Sequence, residues 1–340
     1  MSFCSEAREE SDGIHLHWAS PTMFGFADVK LCSTALLLVL GVLANAFNLG
    51  VMLVQQWRSG GVKTLAVIIS FISLSNILLQ ISTFALVASV WAGVLCWPDL
   101  PLFFSVFLYV WLSSSSVSFW CVSWLSVLYC MRVLSFSSVL FRAIKVNLSA
   151  ILNVAILVTL LTSCVMFTPF FYLHFQTKTL TLNETEQAAC VISKPLFPVW
   201  VNVNVYVVTF ICYLTLMPSA VMLPTSLRLV VYLCKHSWSM QKKDSGSQAA
   251  GSYLLVCRLT VALVWVYLTT LLTISLYYFH AIFASGLRAD MLFLGLSFYC
   301  VAAALLLTCS NKNLREKLRV LTCRRGNTRQ EEKSGVTATV

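Results

Sequence analysis

The chain has 340 residues, 59% of them hydrophobic and only 11% charged, with a net charge of +10. Soluble domains carry roughly a quarter of charged residues, so this composition excludes a water-soluble globule. The spacing of the charges also removes nucleic-acid binding as the reason for the basic surplus, because it assigns the surplus to a membrane topology.

Seven stretches between consecutive Asp, Glu, Lys or Arg each hold at least about 20 residues, enough for a helix to cross the hydrocarbon core of a bilayer. They run from Lys30 to Arg58, Lys63 to Asp99, Asp99 to Arg132, Lys145 to Lys178, Lys194 to Arg228, Arg258 to Arg288 and Asp290 to Lys312. The pattern predicts an all-α membrane protein, a seven-transmembrane helix bundle occupying 29–310. Its spans fall at about 29–54, 64–90, 101–130, 148–173, 200–234, 253–281 and 289–310. Residues 1–28 precede the bundle, 311–323 form a short amphipathic helix and 324–340 a disordered tail.

The loops on alternate sides divide by charge. Segments 1–30, 91–102, 174–200 and 282–290 hold five Lys or Arg against nine Asp or Glu, whereas 55–63, 131–147, 228–258 and 311–340 hold 18 against four. The positive-inside rule makes the second set cytoplasmic and the amino terminus extracellular, in a multi-pass plasma-membrane protein. Residues 1–20 begin with Glu6, Glu9, Glu10 and Asp12 and lack an uninterrupted apolar core. The first span is therefore expected to serve as its own insertion signal.

Cys32, Cys121, Cys164, Cys212 and Cys300 lie in spans, where a thiol behaves as a small apolar group. Cys4, Cys96 and Cys190 fall on the outer side. A Cys96 to Cys190 bridge would tie the first two outer loops; two free thiols are the alternative. The third span carries Tyr109, Trp111, Ser113, Ser114, Ser115, Ser116, Ser118 and Trp120 in its outer half. Trp111, Ser115 and Ser118 share a helical stripe that Leu108 continues outward. Small hydroxylic residues serve close helix packing, but a Trp among them needs room and a partner for its N–H, which makes the stripe a candidate pocket wall.

Between the fourth and fifth spans, Asn183-Glu184-Thr185 is a glycosylation acceptor on the side that the charges place outside. Asn147-Leu148-Ser149 satisfies the same pattern at the inner end of the fourth span and is read as chance. In the sixth span Tyr267, Thr270 and Ile274 repeat the aromatic-hydroxyl pattern toward Tyr277, although an outer aromatic belt equally explains Tyr277 and Tyr278. After the seventh span, Leu314, Leu318 and Leu321 share one face of a helix that is otherwise basic, suited to the inner leaflet. Cys323 beside Arg324 and Arg325 is a candidate palmitoylation site, an unmodified thiol being the alternative. Positive-inside charge alone accounts for most of the Lys and Arg; anionic lipid or an acidic partner are further takers.

No span carries a charge near its middle, and no metal-ligand or nucleophile motif is present. Transport, catalysis and a bound cofactor are not expected.

Seven spans with an outer amino terminus are the plan of a G-protein-coupled receptor, but Asp-Arg-Tyr, Cys-Trp-x-Pro and Asn-Pro-x-x-Tyr are missing. The chain instead resembles the type 2 taste receptors, the bitter receptors of vertebrates. The likeness rests on Gly41-Val-Leu-Ala-Asn45-Ala-Phe47 followed by Trp57, on Trp120 through Arg132 with Leu125-Ser126, Phe136-Ser137 and Lys145, and on His236-Ser-Trp-Ser-Met240-Gln241 spaced from Pro218. Arg258, Tyr267 and Asn311 with Leu314 add to it.

The resemblance implies a pocket among the third, fifth, sixth and seventh helices for small, largely apolar bitter compounds, with Trp111 and Ser115 at two of the family's ligand positions. It also implies coupling to a gustducin-like heterotrimeric G protein at Tyr129, Arg132, Lys235, His236, Met240 and Arg258. Departures are Asn76 for the family's Arg, Ser115 for its Asn, and Ala303-Ala304 for its His-Ser. A vomeronasal type 1 pheromone receptor is the neighbouring alternative, and a carrier or channel a remote one.

Overall fold

The computed structural model describes residues 24–61, 63–91, 101–133, 139–172, 174–180, 189–196, 202–241, 261–276 and 290–320. Helices α1 Phe24–Ser59, α2 Thr64–Trp91 and α3 Pro101–Val133 come first, then the short α4 Val139–Val146 and α5 Leu148–Met166. A hairpin of β1 His174–Leu180 and β2 Ala189–Leu196 follows. The next crossing is composite: α6 Val203–Ile211, a π-helical turn Cys212–Leu216 and α7 Met217–Gln241. The apolar α8 Val261–Leu276, α9 Asp290–Ser310 and α10 at 312–320 complete the described elements.

Among the described residues six helical crossings are long and apolar enough to span a membrane unaided, and α8 is a shorter apolar helix. Helices are what an apolar chain must form there, because hydrocarbon offers no partner to a backbone N–H or C=O. Leu36, Leu43, Leu157, Val165, Leu227 and Leu272 all point outward, as expected of side chains that face lipid rather than water.

The core lies along α2 and α3. On α3 every residue from Trp111 to Ser123 is buried or half-buried, and α2 is its main neighbour. Around this pair stand α1, α5, α7 and α9. At Gly41 of α1 an added Cβ would collide with the Gln80 carboxamide, so only glycine lets that amide reach across in its present conformation. At Gly295 of α9 an added Cβ would meet Thr273 Cγ2 at 3.0 Å, marking a close approach of α8 and α9.

Proline shapes two crossings. The fourth span closes its α-helix at Met166 and continues as a 3-10 turn, Thr168–Tyr172, around Pro169. In the fifth, Pro218 has no N–H to offer and its ring crowds the preceding turn, which widens so that Met217 N–H reaches Cys212 O. Ser123 of α3 donates to the Pro218 carbonyl at 2.9 Å. Gly60, at φ 58°, is the left-handed residue that stops α1 after Ser59.

The hairpin adds strands to a chain read as wholly helical. Its antiparallel register runs from His174 opposite Leu196 to Leu180 opposite Ala189, with an irregularity between Phe175 and Thr177. It occupies the loop expected outside, and Cys190 sits opposite Thr179. Its tip at 181–188, with Asn183, lies outside the described residues, as do Cys4, Cys96, Arg258, Tyr277, Tyr278 and Cys323. Asn147 stands at the joint of α4 and α5, its N–H bonded to Ala143 O.

Candidate functional site

Three layers of side chains, one below another along α3, contain several of the residues singled out from the sequence. In the outer layer Trp111 is buried and its indole N–H donates to Thr83 Oγ1 of α2 at 3.0 Å. Its ring meets Phe293 of α9 edge-on, centroids 5.7 Å apart. Trp111 thus faces α2 and α9. Ser115, also buried, donates back to Trp111 O at 2.7 Å, leaving its side chain uncommitted to any neighbouring helix. Leu108 is half-buried one turn above Trp111.

On α8, Thr270 donates to Val266 O within its own helix and Ile274 is buried. Tyr267 is fully buried, and its ring packs edge-on against Phe119 at 5.3 Å. Among the described residues its hydroxyl makes no full hydrogen bond, although Ser123 and Ser219 lie beside it. The structure therefore brings Trp111, Thr83 and Phe293 together, and separately Tyr267 and Phe119.

The middle layer is a hydrogen-bonded cluster joining four helices. Ser118 Oγ donates to Asn76 Oδ1 at 2.7 Å and lies 3.0 Å from the Tyr299 hydroxyl. Asn76 Nδ2 donates to Asn45 Oδ1, and Asn45 Nδ2 to the carbonyls of Gly41 and Cys300. Slightly further in, Asn48 Nδ2 donates to Ala304 O at 2.9 Å, and Thr308 Oγ1 donates to Asn48 Oδ1 at 2.8 Å. These groups are buried, so each bond also avoids leaving a polar atom orphaned in an apolar interior. Phe119 completes the layer, stacking edge-on against Tyr299 at 5.1 Å as well as Tyr267.

Asn76 and Ala304, two of the departures from the taste-receptor pattern, are both inside this cluster. The carboxamide of Asn76 is short enough to serve Asn45 and Ser118 at once, and Ala304 contributes through its carbonyl. Ala303 is fully buried in the apolar core.

In the inner layer Ser126 bonds Thr225 and Ser226 of α7 at 2.8 and 2.7 Å. A cavity of about 30 Å³ lies beside them, bounded by Tyr129, Leu263 of α8 and Ser310 of α9 among others. It is room for a water, not a ligand. Arg132 and Lys235 are exposed at the end of the bundle expected to face inward, and His236 stacks on Tyr232 with centroids 6.1 Å apart. The side chain of Met240 is outside the described set.

Sequence reasoning missed Thr83, Phe293, Phe119, Asn45, Asn48 and Tyr299 as members of these layers. The Asn residues had a signal, since an amide in an apolar span requires a partner. Phe119 and Phe293 had none, being apolar residues among apolar residues. Among the described residues there is no group of His, Cys, Asp or Glu able to hold a metal, and the layers offer amides, hydroxyls and aromatic faces.

A comparison with known proteins adds a family to this geometry. The family described as Taste receptor protein (TAS2R) matches residues 23–325. Taste receptor type 2 member 134 of Rattus norvegicus is 29% identical over 147 residues, 43% of each chain. Taste receptor type 2 member 40 of Gallus gallus is 26% identical over 217 residues, 61% of this chain and 66% of that one. The similarity thus spans less than two thirds of either relative.

Proposed function

The chain belongs to the taste receptor type 2 family, a family of G-protein-coupled receptors, and from that premise we propose that it is a bitter-compound receptor of the plasma membrane. Small, largely apolar compounds enter from the outer end and contact Trp111, Leu108 and Ser115, with Thr270 and Ile274 on the α8 side. Inside the cell, Tyr129, Arg132, Lys235, His236, Met240 and Arg258 meet a gustducin-like heterotrimeric G protein. Neither the family nor the relatives favour the vomeronasal alternative.

One observation carries the reading. Ser118 lies two helical turns below Trp111 on the same stripe of α3 and bonds both Asn76 of α2 and Tyr299 of α9. A ligand that shifts or turns α3 at Trp111 must strain or break these bonds, so its differential affinity for two arrangements of α3 biases the whole bundle. Ser115 and Thr270 bond only to their own helices, which leaves the surface facing the ligand adaptable.

The test is expression in cultured cells with a promiscuous G-protein chimera, a calcium readout and a panel of bitter compounds. Agonist responses are expected, and Trp111→Ala at equal surface level should shift potency by at least about tenfold, the effect of losing a buried aromatic anchor. A receptor present at the surface but silent to every compound removes the bitter assignment. Unchanged potency in Trp111→Ala moves the pocket away from α3.

A further inference from the structure

A cleft of about 680 Å³ lies between α1 and α10, sharing no lining residue with the three layers along α3. Its membrane-side wall is apolar: Val51 and Val54 of α1, Val320 of α10, and Gly50, where an added Cβ would meet nothing within 4 Å. Its other wall is polar and basic, with Arg58 from α1 and Lys317 from α10, supported by Gln55 and Asn313. The one acid lining it, Glu316, pairs with Lys312 at 3.8 Å, which leaves the charge facing the cleft positive.

The cleft is a built feature. Leu314 is fully buried and pins α10 to the bundle. Asn311 caps that helix, its Oδ1 accepting from Asn313 N–H at 3.0 Å. These contacts fix where Lys317 stands relative to Arg58. Depth identifies the occupant. Trp57 is 89% exposed beside Arg58, and such a ring sits at headgroup level, whereas Leu53 and Val54, one turn up, are exposed at the level of the acyl chains. A basic end at headgroup depth that opens onto an apolar groove fits one amphiphile.

We infer that this cleft binds an anionic phospholipid, its phosphate between Arg58 and Lys317 and one acyl chain along Gly50, Val51 and Val54. Only the choice of the inner leaflet rests on the receptor reading. A lipid held here bridges α1 and α10 and so adds to the hold of Leu314 on the inner end of the bundle.

Native mass spectrometry of the full-length protein in detergent, offered dioleoylphosphatidylserine or dioleoylphosphatidylcholine, tests the site without agonist or G protein. Its failure therefore leaves the receptor reading standing, and the reverse holds. Phosphatidylserine adducts should persist over phosphatidylcholine. Arg58→Gln or Lys317→Gln should each lower their retention about fivefold, and the double change about 25-fold. Gly50→Leu keeps every charge and fills the groove, and it should lower retention as well. Arg142→Gln on the exposed face of α4 should change nothing, and equal thermal unfolding of the lipid-free variants confirms intact folds. The inference is overturned by equal retention of the two lipids, by a double variant or a Gly50→Leu variant that retains as much as the unsubstituted chain, or by inorganic phosphate displacing the adduct, which would indicate a site for a free anion.

Discussion

The outer and middle thirds of α3 carry the same residue types and use them oppositely. Ser115 on α3, with Thr270 and Thr273 on α8, turns back on its own helix, to Trp111 O, Val266 O and Thr269 O respectively, although Ser116 beside Ser115 bonds Ser163 of α5 at 3.0 Å. Lower on α3, Ser118 and Ser123 reach across to α2, α9 and α7, Ser123 also bonding Phe119 O of its own helix. A hydroxyl closed on its own backbone places no condition on its neighbours. One that bonds across helices fixes their rotation. On the proposed reading, the surface of Ser115 and Thr270 is suited to receiving varied ligands, and the Ser118 level to holding a single arrangement until it is forced.

Substitutions can break that contrast, and the largest effect is expected in the middle layer. Asn76→Leu removes the acceptor of Ser118 and the donor to Asn45 Oδ1 at once, leaving Ser118 only Tyr299 and Asn45 only its carbonyl partners, so a loss of about 2–3 kcal/mol is expected, read as lower thermal stability of the purified receptor and raised basal signalling. Gly41→Ala pushes Gln80 off the carbonyls of Leu37 and Ser297, at about 1–2 kcal/mol in the same unfolding assay. Thr83→Val keeps the shape and removes the acceptor of the Trp111 indole. It should cost about 1 kcal/mol and move agonist potency within about tenfold, measured by calcium dose-response. Thr270→Val removes only a bond within its own helix and should change stability by less than about 0.5 kcal/mol. If Thr270→Val cost as much as Asn76→Leu, the distinction between locally closed and cross-helix hydroxyls would not stand.

The topology was legible because lipid punishes charge: intervals free of Asp, Glu, Lys and Arg mark the crossings, with no need to know which helix meets which. Burial of the Trp111 stripe was equally accessible, since Trp111, Ser115 and Ser118 lie on one face by period alone. The direction of that face was not. Trp111 turns toward Thr83 and Phe293, and such pairings depend on helix rotations that no single span encodes. The Asn45–Asn76–Ser118–Tyr299 cluster was hidden for the same reason, as its members stand 31, 42 and 181 residues apart along successive links. The β1–β2 hairpin was missed because its segment was judged by charge and by Asn183 alone. Pro218 was noticed only as a spacing marker, although a proline deep in an apolar span also signals the irregular turn found just before it.

That turn sets the phase of the fifth crossing. Phe210 and Leu233 both face the core, yet 23 residues of uniform α-helix would leave them about 140° apart. The extra residue taken up at Cys212–Leu216 removes about 100° of the discrepancy. The same dislocation leaves Tyr213 with its hydroxyl on Thr162 and Ser163 of α5. Deleting one residue from the turn would restore a regular helix and keep every apolar residue but that one. It would also swing the outer segment, with Tyr206 and Phe210, about a quarter-turn toward lipid, so the crossing would keep its composition and lose its aim.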